Sequence, residues 1–177
     1  MNAFRPTAIP LMTTDPFFSV WSFSDRLADD STRHWTGRRQ SMLGVLTVDG
    51  VPCRFMGQTE PFESYLFADG PALKQTSVTV NPTSTVYTFA HPFCDLTVTF
   101  LSPLLCDRPE VMSRPVSYVF YEIVPVEEGH TFEVYVDASC DLCGDEKGQT
   151  FVHHVEDGHA WIGASEQHVL NESGDDV

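Results

Sequence analysis

The chain has 177 residues, 42% of them hydrophobic and 20% charged, and its 25 acidic against 10 basic side chains give a formal charge of -15. A chain of this length buries roughly 70% of its unfolded surface, enough for a core without disulfide or metal staples. The acidic balance argues against nucleic acid and against an anionic membrane surface, both of which need a basic footprint, and no apolar run reaches the roughly 18 residues of a membrane span.

Met1 to Pro6 lacks the charged region and apolar core of a secretory signal. That leaves a cytoplasmic location and a secreted one with its signal removed both open. Phe17 to Phe23 reads as a core strand on which Trp21 alternates with Phe23. Asp25 to Asp30 suits one helical turn with Ser24 as its cap. A polar loop follows, ending in Thr32-Arg33-His34-Trp35-Thr36-Gly37. Asp49-Gly50 stands between two apolar runs, Leu43 to Val48 and Val51 to Met56, and marks a two-residue hairpin.

Leu73 to Val80 is a Thr- and Val-rich strand, closed by the break Asn81-Pro82-Thr83-Ser84. Thr85 to Phe89 and Leu96 to Phe100 alternate strictly, with threonines on one face, as half-buried antiparallel strands do. His91-Pro92-Phe93 separates them. Pro103 to Met112 reads as an irregular crossing with one short turn. Val116 to Val124 is more continuously apolar and suits a central strand. Thr131 to Asp137 alternates cleanly, and Asp157-Gly158 closes a last hairpin between Thr150 to Val155 and His159 to Gly163. No window shows sustained helical periodicity. The expected fold is all-β: an antiparallel sandwich of roughly nine to eleven strands with little helix.

Little in this framework carries chemistry. The sequence holds no Gly-x-Ser-x-Gly, no Ser-x-x-Lys and no Cys flanked by small residues, so no nucleophile with its base is visible. The five cysteines (Cys53, Cys94, Cys106, Cys140, Cys143) are odd in number and irregularly spaced, which reads as mostly free core thiols, in keeping with a reducing compartment, rather than as a disulfide framework. Cys140-Asp141-Leu142-Cys143 is a CxxC without the βαβ unit of a redox motif. As a zinc site it lacks a fourth ligand, because His153 and His154 are strand neighbours that point to opposite faces. Acidic groups such as Asp29-Asp30, Asp145-Glu146 and Asp175-Asp176 lack calcium-loop spacing and read as solvated charge. No metal and no cofactor is expected.

Three tryptophans, Trp21, Trp35 and Trp161, offer a sugar-stacking platform, although Trp21 and Trp161 read as core. Trp35 is the best exposed or interfacial aromatic. Arg33 either joins it in an interface or is consumed locally, stacked on Trp35 or paired with Asp29 or Asp30.

Several segments in one order carry a resemblance. Arg5-Pro6-Thr7-Ala8-Ile9-Pro10-Leu11, Thr14 to Ser22, Thr32 to Arg38, the Val48-Asp49-Gly50 hairpin and Arg54-Phe55-Met56-Gly57 resemble the start of the glutaminase A-type family. Glu166 to Asn171 and Gly174-Asp175-Asp176 are similar to it further on. The resemblance implies an N-terminal β-sandwich region followed by a helical toroid like that of six-hairpin glycosidases. It also implies an activity, hydrolysis of L-glutamine to L-glutamate and ammonia.

On this reading residues 1–60 are a glutaminase A-like segment packed on the sandwich. Residues 61–177 are the sandwich body, cut short at its C-terminal end. No catalytic residue carries over. The chain is expected to be a non-catalytic module, or alternatively a carbohydrate-binding or accessory sandwich of a glycoside hydrolase-like protein. Arg33, His34 and Trp35 are the candidate docking residues toward a C-terminal helical catalytic domain. An unpaired strand edge near residues 160–170 is expected to favour self-association.

Overall fold

The computed structural model of the chain describes residues 6–59, 70–144 and 149–166. Its strands are antiparallel throughout. β1 (Ile9–Thr13), β2 (Ser19–Ser22) and the two-residue β3 (Arg33–His34) form an N-terminal sheet. β4 (Met42–Val48) and β5 (Val51–Met56) form a hairpin. β6 (Lys74–Val80), β7 (Ser84–His91), β8 (Cys94–Leu101) and β9 (Tyr118–Pro125) make a four-stranded meander in that order. β10 (Phe132–Ala138) adds to the outer side of β4, and β11 (Phe151–Glu156) pairs with β12 (His159–Ala164). Among the described residues helix is confined to α1 (Pro109–Met112) and a 3₁₀ turn at Cys140–Leu142. The fold is the expected all-β sandwich, with twelve strands among the described residues when β3 is counted.

Both Asp-Gly hairpins form where expected. Asp49 and Gly50 take φ of 50° and 80°, and Asp157 and Gly158 take 48° and 78°. This left-handed pair matches the twist of the flanking strands. β7 and β8 keep their alternation: Tyr87, Phe89, Leu96, Val98 and Phe100 are buried while the threonines between them, apart from Thr85, are only partly covered.

The two layers meet at Phe55 of β5. Its ring lies 5.9 Å from Phe89 of β7 and 6.1 Å from Tyr121 of β9. Gly44 on β4 makes room for it, since a Cβ there would fall on the Phe55 ring. The N-terminal sheet joins the same core through Ile9, Leu11, Met12 and Val20. It is pinned to the meander where Thr85 Oγ1 donates to Pro10 O (2.7 Å) and Ser102 Oγ accepts from Thr13 N–H (3.1 Å).

Four expectations are corrected. Phe17 to Phe23 is not a core strand throughout. Ser19, Val20 and Ser22 are buried, whereas Phe17 and Phe23 are exposed and Trp21 is half-buried. β1 flanks β2 in the same sheet, and the Trp21 Nε1–H donates to the buried Ser19 Oγ (2.7 Å). Trp161 is 57% exposed; it lies on β12, which among the described residues pairs with β11 alone in a two-stranded, mostly exposed sheet.

Asp25 to Asp30 forms bends and one turn, closed by Asp29 N–H to Arg26 O (3.0 Å), and no helix. There the Ser24 hydroxyl donates to the Arg26 carbonyl instead of capping a helix. The segment read as a central strand is an edge: among the described residues β9 pairs with β8 alone. Its continuous apolarity has two sources. Val119, Tyr121 and Ile123 pack on the core, while Tyr118, Phe120 and Val124 lie exposed on the opposite face. The crossing from Pro103 to Met112 carries its single short turn as α1.

Candidate functional site

The segment from Thr32 to Gly37 is built by its own hydrogen bonds. Thr32 is buried, and its hydroxyl donates to Gln40 O and accepts from Met42 N–H (2.9 Å). That anchors β3 to the start of β4. His34 N–H donates to Arg38 O (2.7 Å) and Gly37 N–H returns to His34 O (2.9 Å). Gly37 closes the turn at φ 90°, a conformation that disfavours any side chain. β3 pairs with β2, Val20 opposite His34 and Trp21 opposite Arg33, so alternate residues go to opposite faces.

His34 is fully buried. Its Nε2 lies 2.9 Å from Pro16 O, and its Nδ1 lies 2.9 Å from Thr36 Oγ1 and 3.4 Å from Thr36 N. A carbonyl only accepts and a main-chain N–H only donates, which places the ring proton on Nε2 and leaves Nδ1 as acceptor. Trp35 Nε1–H donates to the same Pro16 carbonyl (2.8 Å). The loop that offers this carbonyl is itself rigid: the Asp15 carboxylate accepts from Phe17 N–H and Phe18 N–H, both at 2.8 Å. Two aromatic N–H groups from the Arg33–Trp35 segment therefore converge on one carbonyl in the β1–β2 turn.

The guanidinium of Arg33 takes the local partner. It grips Asp30 with Nε to Oδ2 (3.2 Å) and Nη2 to both oxygens (3.2 and 3.1 Å). What the segment shows to solvent is the Trp35 ring, 55% exposed, with Phe17 (49%) on the turn it is bonded to. His34 positions that surface from beneath. Both of its nitrogens are occupied, so it offers no base to a substrate.

The remaining sequence candidates do not assemble. Cys140 and Cys143 sit at the 3₁₀ turn, half-buried, where Cys143 Sγ approaches Cys140 O (3.1 Å). Burial pushes the Cys143 thiol up, with Cys140 beside it adding to the effect, and a raised thiol is a poor nucleophile and metal ligand. Burial likewise pushes up Cys53 and Cys94 in the core. His153 and His154 are both exposed on β11, and His154 Nε2 faces Glu156 (3.1 Å). No group of three or more His, Cys, Asp or Glu suited to a metal ion exists among the described residues. A cleft beside β1 is lined by Thr13, Asn81, Thr83, Ser84 and Ser102, with no charged side chain.

One polar cluster escaped sequence reasoning. The Asp49 carboxylate accepts from Thr131 N–H (2.8 Å) and Thr131 Oγ1 (3.2 Å), and its other oxygen meets His130 Nδ1 (2.6 Å). His130 stacks on Phe93, ring centres 3.9 Å apart. The Thr131 main-chain bond and the His130 ring hold the Asp49 carboxyl below the usual carboxylate range. The cluster ties the β4–β5 turn to the start of β10. The Asp-Gly motif announced the turn, but nothing local announced partners about eighty positions away.

Residues 1–63 match the model of a domain of unknown function, DUF4964, and residues 83–177 match that of a second, DUF5127. Both are N-terminal domains of glycosidase-like proteins. Searches of the curated proteins and of the solved structures gave no match. The boundary expected at 60/61 falls within residues 60–69, and the similarity drawn from Gln167 to Asp176 falls within 167–177, so both lie outside the described residues.

Proposed function

We propose a role that starts from family membership: the chain belongs to the DUF5127 family through residues 83–177, preceded by the DUF4964 match. The role is that of a non-catalytic β-sandwich module of a glutaminase A-like amidohydrolase. Hydrolysis of L-glutamine to L-glutamate and ammonia belongs to a helical domain against which this module docks. One observation carries the reading. The chain's densest cluster of chemical side chains, Arg33-His34-Trp35, is spent on structure, with Arg33 on Asp30 and His34 and Trp35 on Pro16 O. It leaves an exposed aromatic surface rather than a free acid, base or nucleophile.

That arrangement suits docking. A Trp with a fixed indole plane loses little freedom when covered, and Trp and Arg are the residues that anchor interface cores. The test has two arms. The chain alone, assayed for ammonia release from L-glutamine, should give none above background; turnover would overturn the non-catalytic reading. In a protein carrying both domains, Trp35→Ala should lower thermal stability and activity, and leaving both unchanged would overturn the docking role of this segment.

A second reading draws on the same exposed rings. Tyr118 and Phe120 lie side by side on β9 with ring planes 14° apart, and Trp161 is exposed on β12. Flat exposed rings stack on sugar faces, which suits an accessory module of a glycoside hydrolase-like protein. Calorimetric titration of the chain with oligosaccharides decides it: binding abolished by Phe120→Ala would favour this reading over the first.

A further inference from the structure

We propose that β9 is a self-association edge, joining two copies of this chain into one continuous eight-stranded sheet about a two-fold axis at Tyr121. The proposal is independent of the catalytic or sugar-binding reading above.

The hydrogen-bond phase of β9 sets which main-chain groups the edge offers. Val126 N–H donates to Phe93 O (2.9 Å), and Pro125, which has no N–H, stands opposite Cys94. Even-numbered residues therefore turn their main-chain groups toward β8, and Val119, Tyr121 and Ile123 turn theirs to the open edge. Two-fold antiparallel pairing of identical strands then sets residues of that second set opposite one another across the edge. Centring on Tyr121 places Val119 opposite the partner's Ile123 and Tyr121 opposite the partner's Tyr121. Each of these pairs exchanges main-chain N–H···O bonds through groups that β8 does not use.

The side chains agree with the same register. On the inner face it joins Val119, Tyr121 and Ile123, which are only partly buried against the core, to their counterparts and so carries the core across the edge. On the outer face it sets exposed Tyr118 beside the partner's Val124, and exposed Phe120 beside the partner's Glu122. No like charges meet, whereas a centre at Glu122 would oppose two carboxylates, a destabilising cross-strand pair.

Charge beyond the strand points to a second copy rather than a foreign strand. One end of β9 is preceded by exposed Arg114 and the other is followed by exposed Glu127 and Glu128. Among the described residues Arg114 and Glu128 make no ion pair. Antiparallel self-pairing brings the basic end of each strand to the acidic end of the other, twice. The β12 edge, where self-association was expected from sequence, has no flanking charges of this kind among its described residues. Two chains of charge -15 repel each other at long range, but at about 0.15 M salt that repulsion is screened beyond roughly 8 Å.

Sedimentation equilibrium of the full chain at physiological salt tests this, with circular dichroism to confirm folding of each variant. Wild type should show a monomer–dimer equilibrium. Val119→Pro removes an edge N–H that β8 does not use, and should raise the dimer Kd at least about fivefold, because the bond is lost twice. Arg114→Glu should raise it roughly threefold to tenfold, and adding Glu128→Arg should restore the wild-type value. A strict monomer at every accessible concentration overturns the proposal. So does a dimer indifferent to these variants, or one that the second charge change fails to rescue.

Discussion

Phe55 is the side chain that joins the two layers, so its replacement offers the sharpest test of the packing. It is fully buried, its ring touches Phe89 and Tyr121, and it occupies the space that Gly44 leaves. Phe55→Ala forfeits about 2 kcal/mol of transfer free energy. It also leaves a void of about 100 Å³, worth about 2 kcal/mol more if the walls do not collapse. The expected loss is about 4 kcal/mol, a large part of the 5–15 kcal/mol typical of a domain.

Gly44→Ala should cost about 1–3 kcal/mol in the wild type by driving a methyl into the ring. In the Phe55→Ala background the same methyl enters the void, and its cost should vanish or turn slightly favourable. Urea unfolding followed by far-UV ellipticity measures all four proteins of this cycle. A coupling of at least about 1 kcal/mol is expected, and additivity within about 0.5 kcal/mol would refute the placement of the ring over Gly44.

Other outcomes follow from the sites described. His34→Ala should destabilise this chain by about 2–3 kcal/mol, because it strips partners from buried groups, while Trp35→Ala, at an exposed ring, should cost less than about 1 kcal/mol; thermal melts rank the two. Asp49, held low first by the Thr131 main-chain bond and then by His130, favours folding at pH above the ordinary carboxylate value near 3.9. That contribution is lost as pH falls through the depressed folded value. Asp49→Asn should therefore flatten the acid limb of a stability–pH curve. Burial pushes the Tyr121 hydroxyl up to about 12, so its burial disfavours folding increasingly as pH rises above the free-tyrosine range near 10. An ultraviolet phenolate titration should lose its latest-titrating component in Tyr121→Phe.

Local rules made the hairpins legible. Asp-Gly at Asp49 and Asp157 names its own backbone conformation, and the strict alternation of β7 and β8 names the buried face. What stayed hidden depends on neighbours distant in sequence. Ser19 and Ser22 are buried where β2 runs between β1 and β3 in its sheet, while Phe17 and Phe23 fall outside the strand, and no property of β2 encodes those neighbours. A strand apolar on both sides reads as central, yet in β9 one side meets the core and the other meets solvent. The Arg33–Trp35 segment was recognisable as unusual. Its use of a single carbonyl contributed by Pro16 was not, because that contact spans the turn between two other strands.

The β11–β12 hairpin has a consequence for how unfolding of this protein is observed. Among the described residues no further strand joins it and its side chains are mostly exposed, and a two-stranded hairpin with little support is marginally stable in water. Its amides should exchange through local opening, with a free energy far below that of β4, β7 and β8. Trp161 rides on that hairpin, whereas Trp21 lies in the N-terminal sheet and Trp35, just after β3, is tied by its indole N–H to Pro16 O. Tryptophan emission thus sums a weakly held reporter with two firmly held ones. An emission-monitored melt should begin before the ellipticity changes, and the difference between the curves measures how loosely the last hairpin is coupled to the sandwich.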